Sequence, residues 1–155
     1  MAGTRLAGLL LTLAAVALAL GVATWRDGSP ASARAAEEAV SALGTHMATL
    51  DDGMKKLRRS LRKDDAWQES IEMVIGMQHA AFEAKALLPP MLEKVAAGDR
   101  DQFLAGYRKE MAVLCMELLN LEISLLDRNA EAAQASYDKL REIKETGHKN
   151  FSEVE

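Results

Sequence analysis

Cysteine is nearly missing from this chain of 155 residues: Cys115 stands alone. One thiol cannot close an internal disulfide, so packing or a bound group must hold the fold together. Cys115 therefore reads as a small buried apolar residue rather than a reactive nucleophile. Strand-like alternation is missing too, and β-branched residues are few after residue 35, which excludes a sheet-based fold. There is no excess of positive charge. A formal net charge of −4 argues against nucleic acid as a partner, which calls for a basic footprint. No His-x-x-x-His pair appears, and the two Glu-x-x-His motifs that a di-iron bundle needs on separate helices are not there, so neither a zinc hydrolase nor a di-iron centre has support. No Ser-His-Asp set or glycine-rich phosphate loop stands out, and the chain does not read as an enzyme.

What is present begins with an apolar leader. Arg5 is followed by an unbroken run of apolar and small residues from Leu6 to Ala23, then by the charged and turn-forming stretch "WRDGSPASARAAEEAV". This is the pattern of a bacterial secretory signal, with Gly21-x-Ala23 or Ala33-x-Ala35 as small-residue cleavage sites. The run is long for a signal and short for a span, so an uncleaved membrane anchor is the alternative. Residues 1–35 are read as signal peptide or signal anchor with a short linker, and 36–155 as one domain. Processed protein is expected to begin near Thr24 or Ala36. Either version places the domain outside the cytoplasm, in the periplasm, with membrane contact only if the leader is kept.

The domain is rich in Ala, Leu, Glu, Lys and Met, a helical composition. Val40, Leu43, Met47, Leu50, Met54, Leu57 and Leu61 step by three and four, an apolar seam on a first helix. Asp64 or Asp65 is expected to cap a second helix carrying Ile71, Val74, Ile75, Met77 and Phe82. "LLPPML" must break it, because Pro89 and Pro90 lack amide donors and push the preceding residues out of the α region. One or two helical turns should follow, with Gly98 as a stop and Asp99 or Asp101 capping a third helix. Phe103, Tyr107, Met111, Leu114, Leu118, Leu121 and Leu125 form its seam. Asn129 is the expected cap of a fourth helix, whose apolar side holds Tyr137, Leu140, Ile143, Gly147 and Phe151. The expectation is an all-α, antiparallel up-down-up-down four-helix bundle behind a hydrophobic signal segment.

Bundles build sites from side chains on facing helices. At about 100° per residue, His148 lies about 20° from Tyr137 and about 40° from Lys144, on the edge of the inward arc. Met47 is in the middle of the first seam. The first and fourth helices of such a bundle are antiparallel neighbours, so Met47, early in one, and His148, late in the other, share an end. A thioether facing an imidazole suits haem iron, where Met/His ligation raises the reduction potential. Met is also a common core filler and His a common surface residue at a helix end, so the pair alone leaves both readings open. His46 points off the seam, and His79 sits beside polar Gln78. The basic run "KKLRRSLRKDD" is a solvated helix face or a docking patch for an acidic redox partner.

Four segments carry a resemblance to a known family. "MATLDDGMKKL", "KALLPPML", "QFLAGY" and "EAAQASYDKLREIKETGHKNF" are similar to the motifs of soluble cytochrome b562, periplasmic four-helix haem proteins, over about residues 43 to 151. The resemblance implies non-covalent haem b, one per chain, with Met47 and His148 as axial ligands to the iron. It implies that Phe103, Tyr107, Pro89, Pro90 and Lys144 belong to the haem site, and that the protein exchanges single electrons with redox partner proteins that nothing in the chain identifies. The covalent attachment motif C-x-x-C-H is absent, since "KETG" precedes His148, which separates the chain from cytochrome c′. Two positions depart from the family pattern. Lys144 replaces an arginine, losing planar bidentate hydrogen bonding to a propionate, and Gly147 replaces an aromatic. These departures favour the alternative, a haem-free exported bundle acting through protein contacts.

Overall fold

The computed structural model describes residues 30–151 apart from Asp64. The apolar run Leu6–Ala23 and the expected cleavage site Gly21-x-Ala23 lie outside the described residues. Within them the chain forms α1 (Pro30–Ser60), α2 (Trp67–Ala86), α3 (Arg100–Leu126) and α4 (Ala130–Phe151), with no strand. The double proline ends α2 as expected, and the 3-10 turns Pro90–Lys94 and Ala97–Asp99 fill the connection to α3. Gly98 sits inside the second turn. Helix α1 starts six residues ahead of the boundary expected at residue 36, because Pro30 takes the first helical position, where a missing amide costs nothing.

The expected seams supply most of the core. Leu43, Leu50, Met54 and Leu57 of α1 are buried, as are Tyr107, Met111, Leu118, Leu121 and Leu125 of α3 and Tyr137 and Leu140 of α4. Leu114 and Met47 pack against this core while remaining partly exposed, and Val40 is exposed. Each full burial of a large apolar side chain contributes about 1.5–3 kcal/mol. Cys115 is buried, as its reading required.

Helix α2 departs from expectation. Val74 and Met77 are buried, but Ile75 and Phe82 face outward. The inward row is Ser70, Val74, Met77, Ala81 and Ala84, again in steps of four and three but built largely from small residues. Bulk misleads there: small side chains let neighbouring backbones approach, and the large ones are left outside. Gly53 of α1 meets the same row, since a Cβ on it would fall 2.5 Å from Cγ and Sδ of Met77.

The helix ends follow local chemistry unevenly. Helix α2 begins after Ala66 without a side-chain cap. Asp65 is exposed one residue too early, and Asp64, the other expected cap, lies outside the described residues. Asp99 holds the cap position of α3 but makes no capping bond. Asn129 does cap α4, its Oδ1 accepting from the Ala132 amide at 3.0 Å. Helix α3 closes with Arg128 N–H donating to Leu125 O at 3.1 Å and Asn129 N–H to Ser124 O at 2.9 Å, the paired bonds of a Schellman turn. That turn places Arg128 at φ 52°, where a Cβ is disfavoured. Arg128→Gly should therefore stabilise the fold by about 1 kcal/mol, seen as a higher midpoint in urea unfolding.

Neighbouring helices run in opposite directions, as their contacts show. Ser60 of α1 hydrogen-bonds Ser70 of α2, while earlier Gly53 meets later Met77. Tyr107 Oη of α3 donates to Ala84 O of α2 at 2.8 Å, and later Glu122 accepts from earlier Gln78 at 2.7 Å. Phe151 of α4 packs on Phe103 and Tyr107 of α3. Helices joined by a connection pack closely, whereas α1 and α4 stand further apart. Polar contacts span that seam. Lys144 Nζ pairs with Asp51 at 2.7 Å, and Tyr137 Oη donates to Met54 O at 3.3 Å.

Candidate functional site

The wider spacing of α1 and α4 opens a cavity of about 420 Å³ at the end of the molecule where α1 begins and α4 finishes. Its size is that of a cofactor or drug-sized site. The walls are largely apolar, from Leu43, Leu50, Met54, Met77, Met111 and Leu140, and the α2–α3 connection contributes Pro89, Pro90 and Met91. Met47 and His148 both line it. Gly44 and Gly147 line it too, and a Cβ on either would meet no atom within 4 Å. Gly147 thus leaves open space beside His148.

The Asp51–Lys144 ion pair sets the register of α1 against α4. Met47 stands one turn before Asp51 on α1, and His148 one turn after Lys144 on α4. In antiparallel helices those two steps lead the same way, so the contact at Asp51 and Lys144 places Met47 and His148 across from each other. Met47 is half-buried and His148 is more exposed, in the basic last turn of α4.

Of the other expected site residues, Tyr107, Pro89, Pro90 and Lys144 line the cavity. Phe103 does not; it stands one ring behind, edge-on to Phe151 at 5.3 Å between centroids, and Phe151 forms the wall. Tyr107 is buried, and burial pushes its phenol up to about 12 from 10.0. Neutral below pH 10 in either state, it ionises first in the unfolded chain. Its contribution to stability is thus complete below pH 10 and declines as pH rises toward 12. Stability should fall by on the order of 2 kcal/mol across that window. The loss should shrink in Tyr107→Phe when urea unfolding of the two proteins is compared at pH 9 and pH 11.5. Burial also raises the Cys115 thiol, which disfavours the reactive thiolate.

Asp51, Glu110 and Met91 are cavity residues that the sequence reading missed. Asp51 was detectable as the residue one turn after Met47, while Glu110 and Met91 carry no motif. His79 is exposed and His46 half-buried, and neither lines the cavity. Glu145 and His148 form a single Glu-x-x-His, but Glu145 is exposed and lies 3.9 Å from Arg141. Among the described residues no group of three or more His, Cys, Asp or Glu could hold a metal ion. Nor is any described helix long and apolar enough to cross a membrane. The chain matches no family model and no curated protein.

Proposed function

We propose that this chain is an electron carrier of the cytochrome b562 type, an up-down-up-down four-helix bundle holding one non-covalent haem b between Met47 and His148. The carrying observation is the register: the Asp51–Lys144 contact sets a thioether opposite an imidazole, and both line one cavity. Two such donors are too few for a bare ion, but they suffice where a macrocycle brings four nitrogens of its own. Met and His are a known axial pair for haem iron, and the pairing raises the reduction potential. The space beside Gly44 and Gly147 and the apolar walls fit a flat, largely apolar group.

Haem b, when bound, supplies one-electron exchange at iron. The residues of this chain would hold and shield it. Met47 and His148 would supply the donors to the iron, while Tyr107 and Pro89–Pro90 wall the interior and the leucine and methionine rows keep water out. Lys144 brings positive charge to the side where Asp51 now neutralises it. The leader would deliver the domain to the periplasm, where it would serve redox partner proteins as a carrier and not as an enzyme. A second reading, a haem-free exported bundle acting through protein contacts, draws on that neutralised Lys144. Titration of the folded protein with haem separates the two. Uptake of one equivalent with a low-spin Soret spectrum supports the carrier, and absence of uptake rejects it.

A further inference from the structure

On the side of the molecule away from the α1–α4 seam, α2 and α3 expose a second apolar surface. Met116, Leu119, Ile123 and Leu126 follow one another on α3 by three, four and three residues, the spacing of a helix-packing seam. Ile75 and Phe82 of α2 lie beside them. The junction is located by Gln78, one turn from each of Ile75 and Phe82, which donates to Glu122 at 2.7 Å and to Leu118 O at 3.3 Å. Leu119, Ile123 and Leu126 stand within about one turn of Glu122. The six side chains are 38–62 % exposed.

We propose that this α2–α3 face is the interface of a two-fold dimer of the chain. With about 200 Å² per large side chain, the exposed fractions leave on the order of 600 Å² on each copy. Two copies face to face bury on the order of 1,200 Å², the lower end of the range for specific interfaces. A patch of that size is at the upper limit of what a lone monomer exposes. The surrounding charges select the occupant and its orientation. Exposed Glu72 and Glu83 flank the apolar positions of α2, which disfavours an anionic lipid surface, whose ligands are ringed by Lys and Arg. Lys109 continues the row of Met116 and Ile123 toward the N-terminal part of α3. The Tyr107–Ala84 hydrogen bond puts Glu83 and Lys109 at similar heights, on the outer edges of their respective helices. A second copy related by a two-fold axis parallel to the helices lays α2 over its partner's α3 and sets these opposite charges together at both edges.

Sedimentation equilibrium of the purified chain tests this. The expected mass is twice that of one chain, 16.9 kDa if residues 1–155 are all kept and less if the leader is removed. Ile123→Glu should weaken association at least tenfold while circular dichroism retains the helical spectrum, because the residue is exposed. Met116→Lys serves the same purpose should that variant misfold. Glu83→Lys and Lys109→Glu should each weaken the dimer, and the double variant should restore it. A wild-type chain that stays monomeric at 100 µM overturns the proposal. So does a dimer indifferent to a folded patch variant, or a monomer whose binding to anionic vesicles is lost on Ile123→Glu. Failure of the double variant to restore association overturns the stacking of α2 on α3.

Discussion

His148→Ala protein mixed with haem is expected to give no low-spin spectrum, with affinity lowered by more than about 100-fold, because even partners outside the ligand set typically cost about 10–100-fold in metal affinity. Met47→Ala should behave differently. A thioether is a weak donor, so haem should remain bound through His148, less tightly and in a high-spin form. The asymmetry is the informative part, since general damage to the cavity would lower both variants alike. His148 is also more exposed than the core and lies in the last turn of α4, so its replacement should leave helix content unchanged by circular dichroism. A His148→Ala protein that kept the wild-type spectrum would sink the assignment.

Leu118→Ala is expected to cost about 2–5 kcal/mol of stability, the range for emptying a packed leucine site. Leu118 is fully buried, at 0 % exposure, on the row that also holds Leu121 and Leu125. One turn earlier on the same helix, Leu114→Ala should cost only about 1 kcal/mol. Leu114 is partly exposed and borders the existing cavity, so removing its side chain enlarges a space already there instead of creating one. Urea unfolding of the two variants measures the difference. Equal losses would mean that the cavity end is packed as tightly as the middle of the bundle.

Much of this arrangement was readable from residue order, for reasons specific to each element. Helices α1, α3 and α4 announce themselves because large apolar residues recur at the helical period and end up inside. In α2 the same period is carried by Ser70, Ala81 and Ala84, whose burial gains little per residue, so the bulky Ile75 and Phe82 drew the reading to the wrong face. Caps were legible where a side chain could reach an amide, as at Asn129, and illegible where the backbone turned without help, as at Ala66. In the site, Met47 and His148 could be paired from the order of the helices alone. The cavity itself was not legible, because the distance between α1 and α4 depends on how closely the other pairs pack. Phe103 was assigned to the wall because the resemblance of "QFLAGY" pairs it with Tyr107. The intervening ring of Phe151 comes from the far end of the chain.

The seam between α1 and α4 carries a consequence for how a guest would be taken in. The other three helix pairs are joined by connections, so parting them would strain chain as well as contacts. Between α1 and α4 the described polar contacts include one half-exposed ion pair and one hydrogen bond, each worth about 1 kcal/mol or less. The bundle thus has a clasp, and its two halves are the helices that bear Met47 and His148. Breathing of that seam would draw the Met47 thioether and the His148 imidazole apart and bring them back together across the cavity they line. Asp51 and Lys144 are the catch between the two halves.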